Sequence, residues 1–84
     1  MSAEILDRVL HMMADIFGVP ADTMTPASSP DNVETWDSIK HLELVMALEQ
    51  EFGVQFSPEE IEQLLSVELV ASLVEEKKKE IGVA

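Results

Sequence analysis

The residues best placed to do chemistry lie in the run Trp36-Asp37-Ser38-Ile39-Lys40-His41-Leu42-Glu43-Leu44-Val45. It sets a serine in the first turn of a helical pattern, with Asp37 as the N-cap, directly after a long irregular stretch. Unpaired backbone N–H groups and the positive end of the helix dipole favour an anion at such a place. A phosphate ester on Ser38 would gain on the order of 0.3–1 kcal/mol from that field. His41 follows three residues on and shares a helix face with Ser38, which leaves two readings, a contact with such a phosphate or a solvated helix histidine.

Other chemistry finds less support. A serine hydrolase needs a base and an orienting acid at a sharp elbow of the GxSxG kind, and the chain has no such elbow. Its two histidines, His11 and His41, have no ligand spacing around them that would make a zinc site. The stretch Asp31 to Leu42 lacks the alternating oxygen ligands and central glycine of a calcium loop. With no cysteine, disulfides, thiolate metal sites and cysteine nucleophiles drop out together. No catalytic residue and no metal ligand is assigned.

The composition narrows the possible partners. Five Lys and Arg stand against seventeen Asp and Glu in 84 residues, a net charge of −12, while 46% of the residues are apolar. That is too apolar for a disordered acidic tail, and too negative for phosphate backbones or anionic membranes. Partners with basic patches are the natural counterpart. No apolar run approaches the roughly 20 residues that span a bilayer, so membrane insertion is not expected. MSAEILDRVL lacks the basic and apolar regions of a signal peptide, and a cytoplasmic protein is expected. The length suits one domain, 1–84, and nothing demands more than a monomer.

The elements that must position Ser38 are helical. From Ser2 to Phe17, Ile5, Val9, Met12 and Ile16 form one stripe, with Leu6, Leu10, Met13 and Phe17 beside it. Gly18 and Pro20 stop that helix. Up to Trp36 the periodicity vanishes among Pro20, Pro26 and Pro30, and Val19, Met24, Val33 and Trp36 are the expected anchors. A second helix runs from about Asp37 to Phe52. Its Leu44, Leu48 and Phe52 make one stripe, adjoined by Val45, and Ile39, Leu42 and Met46 make another, more apolar surface than one core face needs. Ser57-Pro58-Glu59-Glu60 is a capping box that opens a short helix to about Leu65. Ser66 caps a last helix carrying Val67, Val70, Ala71 and Val74, with Lys77, Lys78 and Lys79 expected at its end, where cations suit the dipole. Val54-Gln55-Phe56 alternates like a strand but is too short to make a sheet.

With those pieces in order, the chain resembles the acyl carrier proteins, small acidic four-helix carriers modified on serine with 4′-phosphopantetheine. The family's Asp-Ser-Leu motif stands here as Asp37-Ser38-Ile39. The likeness continues through Leu42-Glu43-Leu44-Val45-Met46-Ala47-Leu48-Glu49 and Glu51-Phe52-Gly53-Val54, and the helices opened by Ser57 and Ser66 fall in family order. Many fatty-acid carriers have Leu-Gly-Ala before the motif and an acid after it. This chain has Glu34-Thr35-Trp36 before it, and Lys40 and His41 follow, which looks more like carriers dedicated to polyketide, peptide or other specialised pathways.

The resemblance implies an all-α, four-helix bundle of three main helices and a short third, with a long loop between the first two. It implies a carrier and not an enzyme. Ser38 would receive 4′-phosphopantetheine from coenzyme A through a phosphopantetheinyl transferase, and the arm's thiol would hold acyl groups as thioesters. Acyl-loading, condensing or acyl-transfer enzymes of fatty acid, polyketide or related biosynthesis would dock by basic patches. Asp37, Glu43, Glu49 and Glu51 are the expected acidic contacts, around an apolar centre of Ile39, Leu42 and Met46. The alternative is an unmodified acidic helical adaptor for a basic partner, with an idle Ser38.

Overall fold

The computed structural model describes residues 3–83, with side chains through residue 79. Among the described residues it contains four α-helices and no strand. They are α1 (Ala3–Phe17), α2 (Ser38–Phe52), α3 (Pro58–Glu62) and α4 (Val67–Val83), with a single 3₁₀ turn, Ala21–Thr23, inside the long loop. The all-α expectation holds; the expected first residue of α1, Ser2, lies outside the described residues.

Helix α1 packs mainly on α4 and then on α2. Val9, Met13 and Phe17, with Ala14 beside them, form its buried centre, and Ile5, Leu6, Leu10, Met12 and Ile16 flank it, half-buried. From α2 come Leu44, Val45, Leu48 and Phe52, and from α4 Val67, Val70, Ala71 and Val74. Burying one such side chain stabilises the fold by about 1.5–3 kcal/mol. Gly53 closes α2 at φ 66°, a left-handed conformation that a side chain would strain. Beyond it the chain runs extended, with Val54 and Phe56 turned into the core and Gln55 out.

The loop from residue 18 to residue 37 is pinned at both ends and in the middle. Met24, Val33 and Trp36 are buried as expected of anchors, and Val19 is half-buried. The Thr35 hydroxyl donates to the carbonyl of Phe17 at 2.7 Å, so the loop caps the end of α1. The carbonyls of Ser28 and Pro26 accept from the N–H groups of Val67 and Glu68 at 3.1 and 2.9 Å. They satisfy amides at the start of α4 that have no partner within the helix.

Two helix ends differ from the sequence expectation. Helix α3 stops at Glu62, not near Leu65. Ser66 must keep a non-helical backbone to accept the Leu69 N–H on its hydroxyl, at 3.1 Å, so the chain turns before it. That turn drives Leu64 fully into the core and leaves Leu65 54% exposed. Helix α4 runs on to Val83, so Lys77, Lys78 and Lys79 lie inside it and not in its last turn. They act sideways: Lys77 pairs with Glu60 at 2.9 Å and lies 5.6 Å over the Phe56 ring, and Lys78 lies 5.6 Å over Phe52.

Candidate functional site

Asp37 builds the start of α2. Its backbone is extended, its carboxylate accepts the Lys40 N–H at 2.9 Å, and its carbonyl accepts the His41 N–H at 2.8 Å. Among the described residues the amides of Ser38 and Ile39 remain without a partner, and so does the Ser38 hydroxyl, on an exposed residue. A nucleophilic oxygen and two free N–H groups thus share one exposed helix end.

Beside Ser38 opens a cleft of about 570 Å³. Trp36, His41 and Leu42 line it from the α2 side, Pro30 from the loop, and Glu62 and Leu65 from the α3 side. Its size falls in the range of ligand pockets. Along α2 the second stripe faces solvent, with Leu42 also lining the cleft: Ile39 is 69%, Leu42 58% and Met46 61% exposed. Three large apolar side chains thus stand exposed in a row on one helix, where a scattered single one would need no explanation.

The four acidic residues expected around that stripe are not equivalent. Asp37 is engaged as the cap and Glu43 is paired with Lys40 at 3.3 Å. Glu49 turns inward and accepts the Phe56 N–H at 3.0 Å, which ties the extended segment to α2. Glu51 pairs with Arg8 of α1, whose guanidinium also lies 4.8 Å over the Phe52 ring.

His41 does not reach towards Ser38. Both ring nitrogens are occupied elsewhere: Nδ1 accepts the indole N–H of Trp36 at 2.9 Å, and Nε2 lies 2.8 Å from the carbonyl of Ile61. The buried indole demands an acceptor, and the other ring nitrogen meets the carbonyl of Ile61, which also accepts the Leu64 N–H at 3.3 Å; these partners outweigh a contact with a solvent-exposed serine. Among the described residues no three His, Asp or Glu side chains group as a metal site, and no helix is long and apolar enough to cross a membrane.

Residues 7–74 match the family model described as the phosphopantetheine attachment site. The acyl carrier protein of Thermosynechococcus vestitus is 37% identical over 75 residues, covering 89% of this chain and 93% of that one. The chain belongs to the acyl carrier protein family. A mitochondrial acyl carrier protein of Arabidopsis thaliana is 32% identical over 72 residues, 86% of this chain and 57% of that protein. The solution structure of a holo acyl carrier protein from Geobacter metallireducens superposes with a TM-score of 0.76 at 28% identity, covering 86% and 83% of the two chains.

An acyl carrier protein is a carrier and not an enzyme, and its prosthetic group is a covalently attached 4′-phosphopantetheine. The residues present fit that group, since an exposed hydroxyl beside free amides can bear a phosphodiester and the adjoining cleft can shelter an apolar chain. Family membership also brings a phosphopantetheinyl transferase and acyl-handling enzymes as partners. Sequence reasoning missed the part of His41 in joining Trp36 to Ile61. The available signal was a lone tryptophan, whose N–H needs an acceptor once buried, five residues before a histidine.

Proposed function

We propose that Ser38 carries the 4′-phosphopantetheine arm and that the chain presents acyl intermediates to enzymes of fatty acid, polyketide or related biosynthesis. The observation that carries this reading is the exposed Ser38 hydroxyl at a capped helix start with the Ser38 and Ile39 amides free. When bound, the arm supplies a terminal thiol, which this cysteine-free chain lacks, for holding acyl groups as thioesters. Asp37 fixes the helix end that holds the serine. The N–H groups of Ser38 and Ile39 stabilise the diester's negative charge, and the cleft beside them takes up the apolar part of the cargo.

Docking falls to the α2 face. Ile39, Leu42 and Met46 form its apolar centre, and Asp37 and Glu43 stand at its Ser38 end. Glu49 and Glu51 add negative charge to the field that steers a basic partner, while their carboxylates stay engaged within the chain. The residues Trp36, Lys40 and His41 around the motif support a dedicated pathway over a housekeeping one. We further read 1–84 as one carrier domain, acting as a monomer in the cytoplasm.

The test is intact-protein mass spectrometry after incubation with coenzyme A and a promiscuous phosphopantetheinyl transferase, beside Ser38→Ala. The parent is expected to gain one arm and the variant none. No gain in folded parent with several transferases would leave an unmodified acidic adaptor, and a gain that persists in Ser38→Ala would move the attachment elsewhere.

A further inference from the structure

An indole nitrogen can only donate, so His41 Nδ1 must offer its lone pair to Trp36, and the ring's proton then sits on Nε2, facing the carbonyl of Ile61. In this arrangement the imidazole is neutral, with its one acceptor and its one donor both used. The two bonds link three elements around the cleft. Trp36 ends the long loop, stacked on Phe17 with ring centroids 4.9 Å apart; His41 lies in the first turns of α2; Ile61 belongs to α3. Of these elements α3 is the least anchored by burial: it has five residues, none of them buried.

We propose that His41 is a latch on the cleft beside Ser38, holding Trp36 and α3 together while its ring is neutral and releasing them when the ring is protonated. Protonation adds an N–H at Nδ1 directly opposite the indole N–H. Two donors then face each other, and the 2.9 Å bond cannot persist. The indole is buried and stacked on Phe17, so the imidazolium is the group that turns; turning takes Nε2 away from the carbonyl of Ile61 and shifts the wall of the cleft that Trp36, His41 and Leu42 form.

Asp37 at the head of α2 and Glu62 on α3 line the same cleft. Lys40 is drawn towards Glu43, Glu60 of α3 is engaged with Lys77, and α1 meets the indole through uncharged Phe17. The latch is a property of the chain without its arm, so its test leaves attachment at Ser38 undecided, and the two can fail separately.

The experiment is an NMR titration of the unmodified ¹⁵N-labelled protein from about pH 8 to about pH 5, the span in which histidines change charge. It follows the ring nitrogens of His41, with exposed His11 as internal reference, the indole N–H of Trp36, and exchange protection of the amides of Ile61, Gln63 and Leu64. At the upper end His41 should show the tautomer protonated at Nε2. As it titrates, the indole signal should move along the same curve, and α3 protection, corrected for intrinsic exchange, should fall about fivefold to tenfold, as for one lost hydrogen bond. His41→Gln keeps an acceptor and a donor on one side chain and does not titrate, so both readings should stay flat. An indole signal and α3 amides that ignore the His41 titration in the parent protein would overturn the latch. So would the same pH response in His41→Gln; should that variant not fold, the parent titration decides alone.

Discussion

Along the body of α2, Leu44, Leu48 and Phe52 vanish into the core against α1 and α4, whereas around its first turn Trp36, Asp37 and His41 are held by hydrogen bonds to particular atoms. The body is closed by apolar burial, which has no direction and survives small shifts. The site end is closed by directed bonds, each of which fails when one partner changes. A carrier has to keep its shape while its mouth opens to cargo and partners, and this division assigns the two duties to different forces.

The contrast can be broken hardest at Leu48, which is fully buried. Leu48→Ala is expected to cost about 2–5 kcal/mol in urea unfolding, a large share of the stability of so small a domain. A loss well under 1 kcal/mol, about what a surface change costs, would mean that the body is not the reservoir of stability.

A smaller effect is expected from a directed bond on α3, that of Glu60. Its hydrogen bond to Lys77, and next the Ser57 N–H, hold its carboxyl below the ordinary value of 4.5. The unfolded chain therefore takes up this proton first as the pH falls. The stabilisation is complete above the ordinary value and is lost as the pH drops through the lower folded value. The melting temperature of the parent should exceed that of Glu60→Gln near neutral pH, and the gap should close in acid. A gap independent of pH would show that the pair does not carry the difference.

The smallest stability effect belongs to the outer stripe of α2. Met46→Ala should change unfolding by no more than about 0.5 kcal/mol, because the side chain is 61% exposed. The same variant should raise the KM for a phosphopantetheinyl transferase several-fold with little change in kcat. Unchanged kinetics would take Met46 out of the docking face.

Much of the fold was legible because its signals are local. The stripe Leu44, Leu48 and Phe52, the left-handed stop at Gly53, the Ser57 and Glu60 box and the cap at Ser66 each depend on residues within a few positions. The cap at Asp37, with Ser38 in the first turn of α2, was readable for the same reason. What sequence could not supply was the partner of a side chain once the helices meet. Glu49 and Glu51 are the same residue type two positions apart, on different faces of α2, and their partners come from elsewhere in the chain: one holds the Phe56 N–H and the other Arg8. The end of α3 was misjudged because the need to turn before Ser66 outweighs the apolar run through Leu65. The spacing of His41 from Ser38 was read correctly as a shared face, but the buried indole claimed the ring.

Trp36 has one more consequence. It is the chain's one tryptophan, 4% exposed, two residues from Ser38, and its ring lies 6.1 Å from that of His41. The intrinsic emission of the protein therefore originates at the mouth of the cleft and nowhere else. Whatever alters the polarity or quenching around that fluorophore, the proposed arm attachment at Ser38 included, can be timed by stopped flow in unlabelled material.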